Sequence, residues 1–249
     1  MLKHIGLVFT TALTLVAVSP CNAATLEEIL KVNWNQQSLA ELKELIPDQK
    51  AAQQFATAVL MAEPHQDPDN IHKLDVDGEV VVDYRLVDLK GDGSVQFVCL
   101  LDITDRMRPT ILMAVENDHG HLKTAYLTVR GRRFGPRRTS IHHFRDIRHN
   151  RRNEVTLSDA LEPFAGATAP TAYMEHIYVY QDGKFVQSDR EFLDYYKNES
   201  LPERRKELND LLQHSPAPDA TPEEREYYRK SVDAKQEEIA ALNKLLSKP

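Results

Sequence analysis

Between Arg130 and Arg152 the chain carries nine arginines, three histidines (His142, His143 and His149) and one acid, Asp146. A guanidinium is a planar, permanently charged fork of donors that matches the paired oxygens of a carboxylate or phosphate. Nine positive charges against one negative leave a local excess of +8 inside a chain of net charge −7. That contrast makes Arg130, Arg132, Arg133, Arg137, Arg138, Arg148, Arg151 and Arg152 candidate ligand-binding residues for an anionic partner. A plainer reading stands beside it, in which the segment is a solvated turn region pairing with the protein's own acidic helices. Other chemistry is sparse. His119-x-His121 and His142-His143 could offer imidazoles, but no Cys or further His follows at zinc-like spacing, and the arginine neighbours disfavour a cation. The sequence contains no Gly-x-Ser-x-Gly elbow, His-Glu-x-x-His pair, phosphate loop or Gly-x-Gly-x-x-Gly turn, so no enzyme class is indicated.

The elements that must position these residues follow from hydropathy and turn chemistry. Lys3, an uncharged apolar run from Ile5 to Val18 and the small residues before Ala24 have the form of a secretory leader, so residues 1–24 are expected to be removed and the protein to be periplasmic or secreted. Loss of Lys3 takes Lys+Arg from 31 to 30 against 38 acids, a net charge of −8, and loss of Cys21 leaves Cys99 as the sole thiol. Within FVCLL, Cys99 reads as a small buried hydrophobe. No transmembrane segment is expected in the mature chain. Residues 25–62 read as helices opening on a capping box at Thr25-Leu-Glu-Glu28. Pro64 and Pro68 mark a linker, and period-two alternation then runs to about Ser188, giving a β domain over 63–190 with a first turn at Asp77-Gly78. Residues 191–249 return to helix. Phe192, Tyr195 and Tyr196 form an aromatic anchor, and a final helix capped by Thr221 carries Tyr228, Val232, Lys235, Ile239, Leu242 and Leu246 at heptad spacing. That seam could close on the preceding helix or on another chain.

The β domain is organised around Tyr84 to Leu101: YRLVDL, the turn Lys90-Gly91-Asp92-Gly93, and SVQFVCLL. The segment from Ser140 onward looks like a second copy, with Asp88 aligning on Asp146 at an offset of 58 and Gly120 on Gly183 at an offset of 63. Tyr84 to Leu101 resembles the FG-GAP or VCBS-type repeat of integrin-like β-propellers, in which strand, acidic glycine-rich loop and strand begin a blade. The resemblance covers roughly residues 71–190. It implies a calcium loop at Asp88, Asp92 and Gln96, and again at Asp146, Asn150 and Glu154. Both copies depart from that pattern: Lys90 stands where an oxygen is wanted, Gln96 replaces an acid, and the second loop brings in Arg148, Arg151 and Arg152 and has no glycine. A fixed cation beside the loop repels a divalent ion, so the loops are expected to be structural remnants and no cofactor is expected. Two blades cannot close a propeller. The repeats are expected either to pack face to face with helices over the open edges or to form one curved sheet.

The expectation is therefore an α+β protein with an antiparallel β core of two FG-GAP-like repeats, flanked by N-terminal helices and a C-terminal helical hairpin. Its expected role is non-enzymatic binding in the cell envelope, to an unknown protein or an anionic envelope component rather than nucleic acid. The alternatives are an envelope hydrolase with a site between the repeats, or an accessory subunit binding through the heptad helix.

Overall fold

The computed structural model describes residues 24–62, 79–103, 110–129, 144–161 and 170–247. Residues 1–23 of the expected leader, the linker with the Asp77-Gly78 turn, the His142-His143 pair, and Arg130, Arg132, Arg133, Arg137 and Arg138 lie outside them.

The fold is α+β. Among the described residues three N-terminal helices, α1 (Leu26–Lys31), α2 (Leu39–Leu45) and α3 (Gln49–Ala62), precede eight strands: β1 (Glu79–Val87), β2 (Gln96–Ile103), β3 (Thr110–Asp118), β4 (His121–Val129), β5 (Phe144–Arg145), β6 (Glu154–Ala160), β7 (Tyr173–Gln181) and β8 (Lys184–Gln187). They form two antiparallel meanders in the orders β1-β2-β3-β4 and β5-β6-β7-β8. Each meander therefore holds one copy of the repeat seen in the sequence. The β3–β4 turn places His119 and Gly120 at φ 53° and 90°, and the β7–β8 turn places Asp182 and Gly183 at 51° and 74°. These are the paired positive φ values that a two-residue hairpin turn matched to strand twist requires. The offset grows from 58 to 63 across the connection between β6 and β7, which is longer than that between β2 and β3.

The two sheets pack face to face. Val98, Leu100, Leu112, Ala114 and Ala125 of the first sheet meet Val155, Leu157 and Tyr180 of the second. Strands β2 and β3 are apolar at successive positions, so both of their faces demand burial. Phe97, Cys99, Leu101, Ile111, Met113 and Val115 point the other way, under Ile29, Trp34, Leu42 and the Phe55 face of α3. Trp34 lies against Phe55, and Phe55 against Phe97, with ring centroids 5.7 and 4.8 Å apart. Cys99 is fully buried there.

The outer face of the second sheet is covered by the C-terminal helices. Met174, Ile177 and Val179 share a cluster with Phe192, Tyr195, Tyr196, Leu201 and Leu242. The helices thus cover the outer faces of the two sheets, where edge coverage had been expected. The reason is visible in β2: a strand with no polar face leaves an apolar sheet surface that is a far larger liability than an edge.

After a tight turn, α4 (Leu193–Tyr195) and a π-helical turn (Tyr196–Ser200) run into α5 (Leu201–Gln213), and α6 (Pro222–Ser247) folds back along it. The heptad seam closes within the chain. Tyr228 donates to the Leu211 carbonyl, Lys235 pairs with Glu207 at 2.8 Å and Glu238 at 2.5 Å, and Ile239, Leu242 and Leu246 reach the sheet cluster. The lone lysine of the seam is thereby a cross-hairpin ion pair that fixes the register of α5 against α6. No helix among the described residues is long and apolar enough to cross a membrane.

Candidate functional site

The Asp88 and Asp146 loops open the two sheets in equivalent places, between β1 and β2 and between β5 and β6, and they have the same backbone. Asp88 accepts from the amides of Lys90, Gly91 and Gly93 at 2.7 to 2.9 Å, and Asp146 from those of Asn150 and Arg151 at 2.8 Å. Asp92 Oδ1 takes the Ser94 amide, and Asn150 Oδ1 takes that of Arg152, 58 positions on. Gln96 Oε1 takes the Leu89 amide at 2.8 Å, and Glu154 Oε2 the Ile147 amide at 3.0 Å. Positive φ recurs at the same offset: 76° and 85° at Gly91 and Gly93, 54° and 69° at His149 and Arg151. The second loop reaches the glycine conformation without glycine, at about 1–2 kcal/mol per residue.

Seen this way, the acidic positions serve the loops themselves. Both oxygens of Asp88 and of Asp146 hold backbone amides, the Gln96 amide is tied to Leu89 and Ser94, and cations stand at Lys90 and Arg148. This donor set does not fit a divalent cation, which takes several free anionic oxygens. Among the described residues no group of three His, Cys, Asp or Glu could hold a metal.

Glu154 differs from its counterpart. It is fully buried, and its Oε1 has no hydrogen-bond partner. Burial raises its pKa above the ordinary carboxylate value, against the Ile147 amide and the Arg148 charge, which lower it.

The two loops abut. The Asn153 amide and side chain both donate to the Asp88 carbonyl, at 3.1 and 2.8 Å. A Cβ on Gly91 would sit 3.1 Å from the Arg152 Cβ, so glycine is needed there for close approach as well as for φ. Beside this junction lies a cleft of about 550 Å³ between the sheets, lined by Lys90, Glu116, Lys123, Arg152, Tyr180 and the β7–β8 turn. Lys90 pairs with Glu116, which also accepts from the Tyr180 hydroxyl at 3.3 Å. Burial, then the Glu116 charge, pushes the Tyr180 pKa far up and keeps it a neutral donor. Arg152 Nη2 donates to the Tyr180 carbonyl.

The predicted arginines divide. Arg148 pairs with Glu191 at 2.6 Å and stacks on Phe192 with its guanidinium carbon 4.1 Å from the ring centroid. Its role is partly structural, anchoring the loop to the C-terminal segment. Arg151 is exposed. Arg152 is half-buried at the cleft. Sequence reasoning missed Glu116, Lys123 and Tyr180, which are distant in the chain and carry no motif. It also missed the clasp at Asp189, which accepts from His176, Gln187, Tyr196 and the Ile177 amide at 2.7 to 2.8 Å. Burial raises the Asp189 pKa, but these four donors outweigh it and leave it lowered. The clasp ties β7, β8 and the helical C-terminus together.

Comparison with protein-family models, curated proteins and solved structures finds no match. The class defined by the fold is therefore an α+β protein of two meander sheets with a recurring acidic loop, and function must be argued from the site.

Proposed function

We propose that this chain is an exported, non-enzymatic binding module of the cell envelope, built on two degenerate FG-GAP-like repeats and recognising an anionic partner through the arginine-rich turn region that ends at Arg152. The envelope placement rests on the leader signature in residues 1–24, and the repeat assignment on the duplicated loop.

One observation carries the binding reading. At the two positions where the first loop uses Gly91 and Gly93, the second holds His149 and Arg151 at positive φ. Glycine would be cheaper there, and strain retained at an exposed position points to a use for the side chain. Arg151 projects from a loop braced by Asp146, so its guanidinium is presented on a rigid support with little ordering entropy left to lose on binding.

The test is Arg151→Gly, measured for stability and for retention on an immobilised polyanion across a salt gradient, beside a variant with Arg132, Arg133, Arg137 and Arg138 changed to serine. The reading expects Arg151→Gly to melt higher and elute earlier, and the fourfold variant to elute earliest. If both variants elute with the wild type, the arginines are a solvated surface and the reading fails.

A further inference from the structure

The cleft beside the loop junction contains a charge without a partner. Arg152 Nη2 reaches the Tyr180 carbonyl, its Nε is buried with no hydrogen-bond partner, and among the described residues no carboxylate forms an ion pair with it. A guanidinium half out of water with no counter-charge is costly, and an arriving anion would relieve that cost. The rest of the lining is arranged around this fact. Lys90 and Glu116 neutralise one another on the inner wall, with Tyr180 completing the set. Lys123 stands at the rim, 57% exposed, its side chain held at 2.5 Å by Asp118, which is not part of the lining. Asp182, exposed in the β7–β8 turn, is the opposing charge. Lys90 and Lys123 thus each have a carboxylate in contact, and among the described residues Arg152 is the one cation of the lining without one. The first repeat has Ser94 at the position equivalent to Arg152, so the cation distinguishes the second copy and is not a requirement of the loop backbone.

We infer that this cleft binds the terminal oxyanion group of a small ligand, a carboxylate or a phosphate, with Arg152 as the principal donor and Lys123 closing from the rim. The inference rests on the anion-binding reading of the Asp146–Arg152 loop and moves it from the outer face to a defined pocket. An oxyanion bound at Arg152 would leave the Lys90–Glu116 pair intact, whereas a cationic or neutral ligand would leave Arg152 uncompensated.

The experiment is calorimetric titration of the whole protein with inorganic phosphate and, separately, with succinate, at low ionic strength. Saturable binding of phosphate alone identifies a phosphate-bearing ligand, and of succinate alone a carboxylate-bearing one; either supports the inference. Arg152→Gln should weaken binding about tenfold or more, the loss expected for a charge-assisted bond. Because Arg152 also braces the Tyr180 strand, Asp182→Asn provides a variant that leaves the fold intact: asparagine tolerates the φ of 51° at that turn, and removing the like charge should tighten binding several-fold. No saturable binding of either probe, or Arg152→Gln and Asp182→Asn both binding like the wild type, overturns the inference. Polyanion retention separates the two readings: if it persists while phosphate and succinate fail to bind, the pocket is refuted and the surface reading stands.

Discussion

Replacing Glu154 by glutamine should stabilise the protein at neutral pH and do little in acid. Glu154 is completely buried, one oxygen holds the Ile147 amide, and the other has no partner. Gln96 occupies the equivalent position of the first loop, is equally buried, and performs the same amide-accepting task without charge. An unsatisfied buried polar atom costs about 1–3 kcal/mol, more when charged. Glutamine keeps the bond to Ile147 but brings its own amide hydrogens, so a net gain of about 1 kcal/mol is the expectation, or about 2–4 °C in melting temperature for a chain of this size. The pH dependence carries a sign. The folded-state pKa is raised above the ordinary 4.5, so between those two values the native state binds more protons than the unfolded chain, and stability falls as pH rises through that window. The wild type should lose stability from pH 4.5 upward relative to the variant, and the two melting curves should converge near pH 4. Differential scanning calorimetry from pH 4 to 7.5 decides it. A variant that melts at or below the wild type at pH 7, with no convergence in acid, refutes the buried-charge argument.

Other perturbations test the frame. Asp88→Ala removes the acceptor of three backbone amides and should cost about 2–3 kcal/mol; an unchanged urea midpoint would mean the loop holds its shape without it. Gly91→Ala meets both a φ of 76° and the Arg152 Cβ at 3.1 Å, and should cost about 2 kcal/mol or more, beyond the 1–2 of the left-handed conformation alone. Urea denaturation of the same residue changed to asparagine, which tolerates that φ, separates conformation from contact. Leu242→Ala, in a side chain 2% exposed where α6 meets the second sheet, should cost about 2–5 kcal/mol. If its urea midpoint matches the wild type, α6 does not cap that sheet.

Much of the frame was legible because its signals are local. The caps at Thr25 and Thr221 stand as read, each closed by a glutamate three residues on. The two offsets, 58 and 63, are properties of the two hairpins in each sheet. The aromatic trio Phe192, Tyr195 and Tyr196 is buried. The placement of the helices over the outer faces is not legible, because FVCLL and ILMAV show that both faces are apolar but not what covers each. The second loop has no glycine, and its positive φ at His149 and Arg151 is not legible from residue type, because it follows from the amides that Asp146 accepts. The cleft was invisible for another reason. Lys90, Glu116, Lys123, Arg152 and Tyr180 come from both sheets, and only sheet-on-sheet packing brings them together.

That packing makes the two halves dependent on one another. Each sheet has one face under its own helices and the other under its sister, and the Asp88 carbonyl of one half anchors Asn153 of the next. Severing the chain between β4 and β5 would yield two pieces, each with one finished surface and one raw apolar surface of matching shape. Separately they should be sticky and incompletely folded; mixed, they should find each other and rebuild the whole. Neither half is therefore complete alone, and each can change only in ways its sister can accommodate.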